Sequence, residues 1–132
     1  MLKKIHHVAV ICSNYEVSKK FYVETLGLRM VAENYRQDRQ SYKLDLELPD
    51  GGRLELFSFP AAPARLSHPE ARGLRHLAFA VDNIFKYKSH LEERGVVVED
   101  VRVDEYTGKK FTFFADPDDL PLELYESDTA IE

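Results

Sequence analysis

Tryptophan is absent from this 132-residue chain, cysteine occurs once, and glycine and proline occur only six times each. One cysteine, Cys12, cannot close an internal disulfide, so the chain fits a reducing compartment, and cysteine-based metal motifs are excluded. So little glycine and proline excludes collagen-like and low-complexity chains. Long hydrophobic runs are missing too. The longest, Val8–Cys12 and Leu77–Val81, are five residues, whereas a membrane-spanning helix needs about 20. No apolar stretch with a small-residue cleavage site follows Lys3 and Lys4, so a secretory leader is not legible and a cytoplasmic protein is expected. Positive charge is also in deficit. The 18 Lys and Arg against 23 Asp and Glu give a net charge of -5. Without a basic stripe to meet phosphates, nucleic acid is not an expected partner. Neither is a membrane.

What is present is enough hydrophobic material, 44% of residues, to build the core of one ordinary domain. It is arranged as an internal repeat. At an offset of 69, His7-Val8-Ala9-Val10 falls on His76-Leu77-Ala78-Phe79 and Asn14 on Asn83. At 68, Gly27 meets Gly95 and Leu54-Glu55-Leu56 meets Leu122-Glu123-Leu124. Each half reads as strand, cap, amphipathic helix, glycine stop and three strands.

In the first half, Ile5 to Cys12 predicts a β-branched strand and Ser13 a helix cap. Val17, Phe21, Tyr22 and Leu26 stripe a helix that Gly27 ends. Strands are expected near 28–36, 41–49 and 52–59, with a hairpin turn at Pro49-Asp50-Gly51-Gly52. In the second half, the strand is Leu74 to Val81, the cap Asp82, and the helix stripe Ile84, Tyr87 and Leu91 up to Gly95. Strands are expected near 96–103, 110–115 and 120–126, with a turn at Asp116-Pro117-Asp118-Asp119. Pro60, Pro63 and Pro69 predict a connecting loop over 60–73, and 127–132 reads as a frayed tail. The fold class is therefore α+β, with two β-α-β-β-β modules, about 5–59 and 74–126, paired in a single domain 1–132.

Each module places one histidine on its first strand and one glutamate on its last. His7 precedes Glu55 by 48 residues and His76 precedes Glu123 by 47. Imidazole nitrogens and carboxylate oxygens suit Zn, Ni, Co, Mn or Fe, and two carboxylates balance a divalent charge. Strand parity puts His7 on one face with Ala9 and Ile11, and Val8, Val10 and Cys12 on the other, so Cys12 is expected in the core. Glu55 shares a face with Arg53, Phe57 and Phe59, opposite Leu54 and Leu56. Glu123 lies likewise between Leu122 and Leu124. A lone strand histidine or glutamate is more often exposed than ligating; four at repeat-related positions shift that balance toward a metal site. His6, on the opposite face from His7, reads as structural or exposed, and His68 and His90, on a Pro-rich loop and a helix with no repeat partner, read as surface residues. The run Phe111-Thr112-Phe113-Phe114 reads as core, with one face available to line a pocket.

At these residues the chain resembles the vicinal oxygen chelate superfamily, most closely its glyoxalase I-like members. The matching elements are His7-Val8-Ala9-Val10, Phe21-Tyr22 before Leu26-Gly27-Leu28, Leu54-Glu55-Leu56-Phe57, His76 to Asp82, and Asp116-Pro117-Asp118 before Leu122-Glu123-Leu124. The resemblance implies a paired β-α-β-β-β domain cupping one divalent metal, a homodimer, and a His, Glu, His, Glu ligand set on His7, Glu55, His76 and Glu123. It also implies lyase or isomerase chemistry on a small carbonyl-derived or thioester-type substrate, with Glu123 as first choice of base and Glu55 as second. Two departures weigh against glutathione. Ile11 stands where glutathione-using relatives typically carry arginine, and Phe59 where they carry asparagine. An apolar pocket near Ile11, Phe57, Phe59 and Tyr125, and a less charged substrate, are expected instead. Two alternatives differ in class: a dioxygenase or thiol transferase with a His/His/Glu site, and a metal-free small-molecule binding module resembling the bleomycin-sequestering relatives.

Overall fold

The computed structural model describes residues 1–127, which carry two four-stranded mixed sheets in two compact units, divided between Ala64 and Arg65. The first unit runs β1 (His7–Cys12), α1 (Tyr15–Lys20), a π turn (Phe21–Thr25), β2 (Arg29–Arg36), β3 (Ser41–Glu47) and β4 (Arg53–Ser58). The second runs β5 (Leu77–Val81), α2 (Ile84–Glu93), β6 (Arg102–Val103), β7 (Lys110–Ala115) and β8 (Pro121–Glu126). The sheet orders are β1-β4-β3-β2 and β5-β8-β7-β6. In each, the first strand pairs in parallel with the last, and the other pairings are antiparallel. These are the β-α-β-β-β modules that the repeat predicts. No helix among the described residues is long and apolar enough to cross a membrane.

Alternation along each strand decides which face packs. Leu44, Leu46, Leu54 and Leu56 are at most 2% exposed and lie on the face that the helix of their unit covers; Leu122 and Leu124 do the same in the second unit. Cys12 belongs to this core, at 1% exposed. The opposite, open face carries His7, Arg53, Glu55 and Phe57, because the ladder sets His7 beside Arg53 and Ala9 beside Glu55.

Several boundaries differ from expectation, each for a local reason. The helix caps are Asn14 and Asn83, one residue beyond Ser13 and Asp82: their side chains accept from the backbone N–H groups of Val17 at 3.2 Å and Lys86 at 3.1 Å. The first strand begins at His7 rather than Ile5, and its counterpart at Leu77 rather than Leu74. The strand expected over 96–103 shrinks to Arg102–Val103. Its earlier part crosses β7 through isolated bonds, from Glu99 N to Phe113 O at 3.0 Å and from Thr112 Oγ1 to Glu99 O at 2.7 Å. Of the expected tail, Ser127 is tied down by its N–H to Val81 O at 2.9 Å, and 128–132 lie outside the described residues.

The last turn of each module fixes the register of its glutamate strand. In the first, Leu48 N–H donates to Gly52 O at 2.8 Å, and Gly51 adopts φ of 89°, a conformation that glycine reaches without a Cβ clash. In the second, the buried Asp116 carboxylate accepts from the N–H groups of Asp118 at 2.8 Å and Leu120 at 2.9 Å.

Candidate metal centre

The structure brings histidine and glutamate together within each module. His7 Nε2 is 3.6 Å from Glu55 Oε2, and His76 Nε2 is 3.8 Å from Glu123 Oε1. Parallel pairing of first and last strands produces both contacts, since it sets the two side chains on adjacent rows of the open face. Two donors on neighbouring positions of an ion at about 2.1 Å stand roughly 3 Å apart, so each pair could close on a divalent ion with a side-chain shift of under about 1 Å. Nitrogen and carboxylate donors fit such an ion chemically. Each pair by itself supplies two ligands, and among the described residues no group of three or more His, Cys, Asp or Glu is placed to hold a metal.

The two pairs sit in different surroundings. His7 Nδ1 is 3.0 Å from His6 Nδ1, which turns Nε2 toward Glu55. His6 is thus a neighbour that orients the ring, a role that its position on the opposite parity hid in the sequence. Glu55 also feels Lys43, whose Nζ lies 3.9 Å from Glu55 Oε1 and 2.7 Å from Asp45. The charges that act on Glu123 are those of His76, Asp104 and Arg102. Phe113 is the cross-strand partner of Glu123 and meets the His76 ring edge-on at 5.1 Å. Burial pushes the Glu123 carboxyl above its ordinary value and Asp104 adds to that, while the charges of His76 and Arg102 pull the other way.

Of the expected pocket residues, Ile11 is 53% exposed and pairs with Phe57 across the ladder. Phe57 and Phe59 stack with centroids 5.9 Å apart. Their faces are not purely apolar in surroundings: the Arg36 guanidinium stands 5.1 Å over Phe57 and 5.7 Å over Phe59. Tyr125 donates its hydroxyl to Asp104 at 3.0 Å and does not line the cavity of the second unit. That cavity, of about 960 Å³, has His76 and Glu123 in its wall beside Phe111, Phe113 and Arg102. The segment expected to serve only as a connector, 60–73, contributes Arg65, His68 and Glu70 to it, and Arg75 joins them from the start of the expected second-module strand. Sequence reasoning missed Arg36 and Arg102 because an arginine on a strand reads as a solvated charge until the ring beneath it is seen.

Relatives agree with this architecture. The chain is 57% identical over 126 residues to the uncharacterized protein YwkD of Bacillus subtilis (strain 168), covering 96% of this chain and 98% of that one. It superposes on the crystal structure of SMU.1112c with a TM-score of 0.92 at 48% identity, covering 96% of this chain and all of that one. A glyoxalase family protein from Enterococcus faecalis matches with a TM-score of 0.87 at 53% identity, over 94% and 98% of the two chains. Residues 4–124 match the family model, and the chain belongs to the Glyoxalase/Bleomycin resistance protein/Dioxygenase superfamily.

Proposed function

We propose that this chain is a divalent-metal-dependent, glyoxalase I-like lyase or isomerase acting on a small carbonyl-derived or thioester-type substrate, in the cytoplasm and as a homodimer. His7, Glu55, His76 and Glu123 would hold the ion, with Ni, Co or Zn preferred and Mn or Fe as alternatives. The observation that carries this reading is the pair of His Nε2 to Glu contacts, 3.6 and 3.8 Å, at repeat-related positions on the open faces. A divalent ion there would supply polarisation of substrate oxygens. The chain's own residues would do the rest. Glu123, the carboxylate whose proton affinity burial raises, is suited to accept a proton from one carbon and return it to the next. His6 holds the ring of His7 in orientation, and Phe113 does so for His76.

Elemental analysis of protein purified without chelator or His-tag, beside His76→Ala and Glu123→Gln, tests the reading. About one divalent ion per chain, lost in both folded variants, is expected. No ion in the wild type after incubation with each metal would sink it and leave a metal-free small-molecule binding module. One observation favours a second enzyme reading. Lys43 stands 3.9 Å from Glu55 and would compete with an ion for that carboxylate, which would leave His7, His76 and Glu123 as the His/His/Glu set of a dioxygenase or thiol transferase. Full metal content in Glu55→Gln would support that alternative; loss of metal would exclude it.

A further inference from the structure

In both modules an arginine stands over two phenylalanines on the face that carries the histidine–glutamate pair, and the two arginines are not repeat-equivalent. Arg102, on β6, pairs with Phe111 in the ladder; the matching ladder position in the first module, across from Lys43, is Asn34. Arg36 lies two residues further along β2, across from Ser41, and donates to Ser41 Oγ at 3.1 Å. Arg36 covers Phe57 and Phe59 at 5.1 and 5.7 Å, and Arg102 covers Phe111 and Phe113 at 5.0 and 5.9 Å. Both modules thus set a guanidinium beside a phenylalanine pair from different positions, over near-parallel rings in the first and over rings at 85° in the second. A guanidinium resting on an aromatic face keeps its edge donors directed sideways, where a carboxylate or phosphate is received bidentately.

The second module shows what such an anion would belong to. Its cavity of about 960 Å³ is of the size that takes a small molecule. Along one wall it offers nitrogen and oxygen donors on His76 and Glu123, an apolar corner formed by Phe111 and Phe113, whose ring planes stand at 85°, and a planar cation on Arg102. The other acidic groups facing it are Glu70, Glu99 and Asp119. Glu70 is engaged by Arg75 at 2.7 Å. Glu99 lies 3.5 Å from Arg102, with both side chains more than half exposed at 60% and 56%, so water screens this pair and leaves it weak. Two strand spacings and a diagonal step separate Glu123 on β8 from Arg102 on β6, roughly 10–12 Å between backbones. Both side chains extend into the cavity from there, so the guanidinium and the carboxylate stand closer than their backbones, and the charge of Arg102 is felt at Glu123.

The geometry points to a substrate that is an organic oxyanion: its vicinal oxygens face His76 and Glu123, its carbon body lies on Phe111 and Phe113, and its distal carboxylate or phosphate is read by Arg102. The oxygen-binding end rests on the function proposed above; the anionic end is independent of it. This adds a charged end to the less charged substrate expected from Ile11 and Phe59.

Calorimetric titration with malate, 2-hydroxyglutarate and 2-hydroxyadipate, each beside its ω-amide, and with 3-phosphoglycerate, tests this in Ni-loaded and metal-free protein. The acid should bind at least about tenfold tighter than its amide, as a charge-assisted bidentate contact commands. Arg102→Gln should bring the two within about twofold, and Arg102→Lys should restore part of the preference. The metal-free protein should keep an acid-over-amide preference at lower overall affinity. If the chain takes up no metal yet keeps that preference, the metal reading fails and the anion reading stands. Tighter binding of 3-phosphoglycerate than of every dicarboxylate identifies phosphate as the anion, and the reverse identifies carboxylate. Equal binding of acid and amide, no measurable binding of either, or a preference untouched by Arg102→Gln overturns the proposal.

Discussion

The two modules share a packing face and diverge on the open one. On β3 and β4 the open face of the first module sets Lys43 against Phe57, Asp45 against Glu55 and Glu47 against Arg53. The corresponding ladder of β7 and β8 sets Phe111 against Tyr125, Phe113 against Glu123 and Ala115 against Pro121. One frame therefore sets charged neighbours across the ladder from its glutamate and the other sets a ring there, with the charges of His76, Asp104 and Arg102 also acting on Glu123. The consequence is chemical: Glu55 has an ammonium at 3.9 Å, whereas burial raises the proton affinity of Glu123. The two similar ligand pairs thus sit in different surroundings, one carboxylate beside an ammonium and the other across from a phenylalanine.

If the packing faces are equivalent, deleting a central leucine should cost the same in either module. Leu56 and Leu124 are at most 1% exposed, so Leu56→Ala and Leu124→Ala should each lose about 2–5 kcal/mol in denaturant unfolding. Unequal losses would break the equivalence. The turns, by contrast, should respond unequally. Asp116 is buried and accepts from two backbone N–H groups, so Asp116→Ala should cost about 1–3 kcal/mol. Asp50 is exposed and accepts one, from Gly52 at 2.8 Å, so Asp50→Ala should cost less than about 1 kcal/mol. The caps return to symmetry: Asn14→Ala and Asn83→Ala should each cost about 1 kcal/mol, read by the same unfolding.

The sequence made the frame legible because the repeat is carried by groups with one physical role. Leu54 and Leu56 must face the helix, Gly27 and Gly95 end helices at φ of 79° and 81°, and alternation then forces Glu55 and Glu123 to the open face. The caps were misplaced by one residue because serine, asparagine and aspartate all accept from a helix N-terminus, and only backbone direction selects among Ser13 and Asn14 or Asp82 and Asn83. The segment over 96–103 looked like a strand because it is valine-rich, yet β propensity does not reveal whether a partner ladder exists. Arg36 over Phe57 was invisible for another reason: the contact joins β2 to β4 across an intervening strand, at a sequence separation no local pattern reports.

The smallest expected effect concerns a contact particular to the first module. Tyr15 donates its hydroxyl to Glu33 Oε2, which also accepts from Lys19 Nζ at 2.7 Å, tying α1 to β2. These two donors hold the Glu33 carboxyl below its ordinary value, Lys19 contributing most and Tyr15 next. A carboxylate whose folded proton affinity is depressed stabilises the fold above its unfolded pKa, near 4.3 for glutamate, and loses that contribution as pH falls through the lower folded value. Stability should therefore decline as pH drops through about 4.3 and below, and Glu33→Gln should flatten this part of the profile. Because a third of the Glu33 side chain is exposed, at 33%, solvent screens the pair and the loss at neutral pH should stay below about 1 kcal/mol. Denaturant midpoints of wild type and Glu33→Gln, compared at pH 7 and pH 3.5, measure it. The two proteins should converge at the acid end, and a gap that widens there would show that the carboxylate is not the titrating tie between α1 and β2.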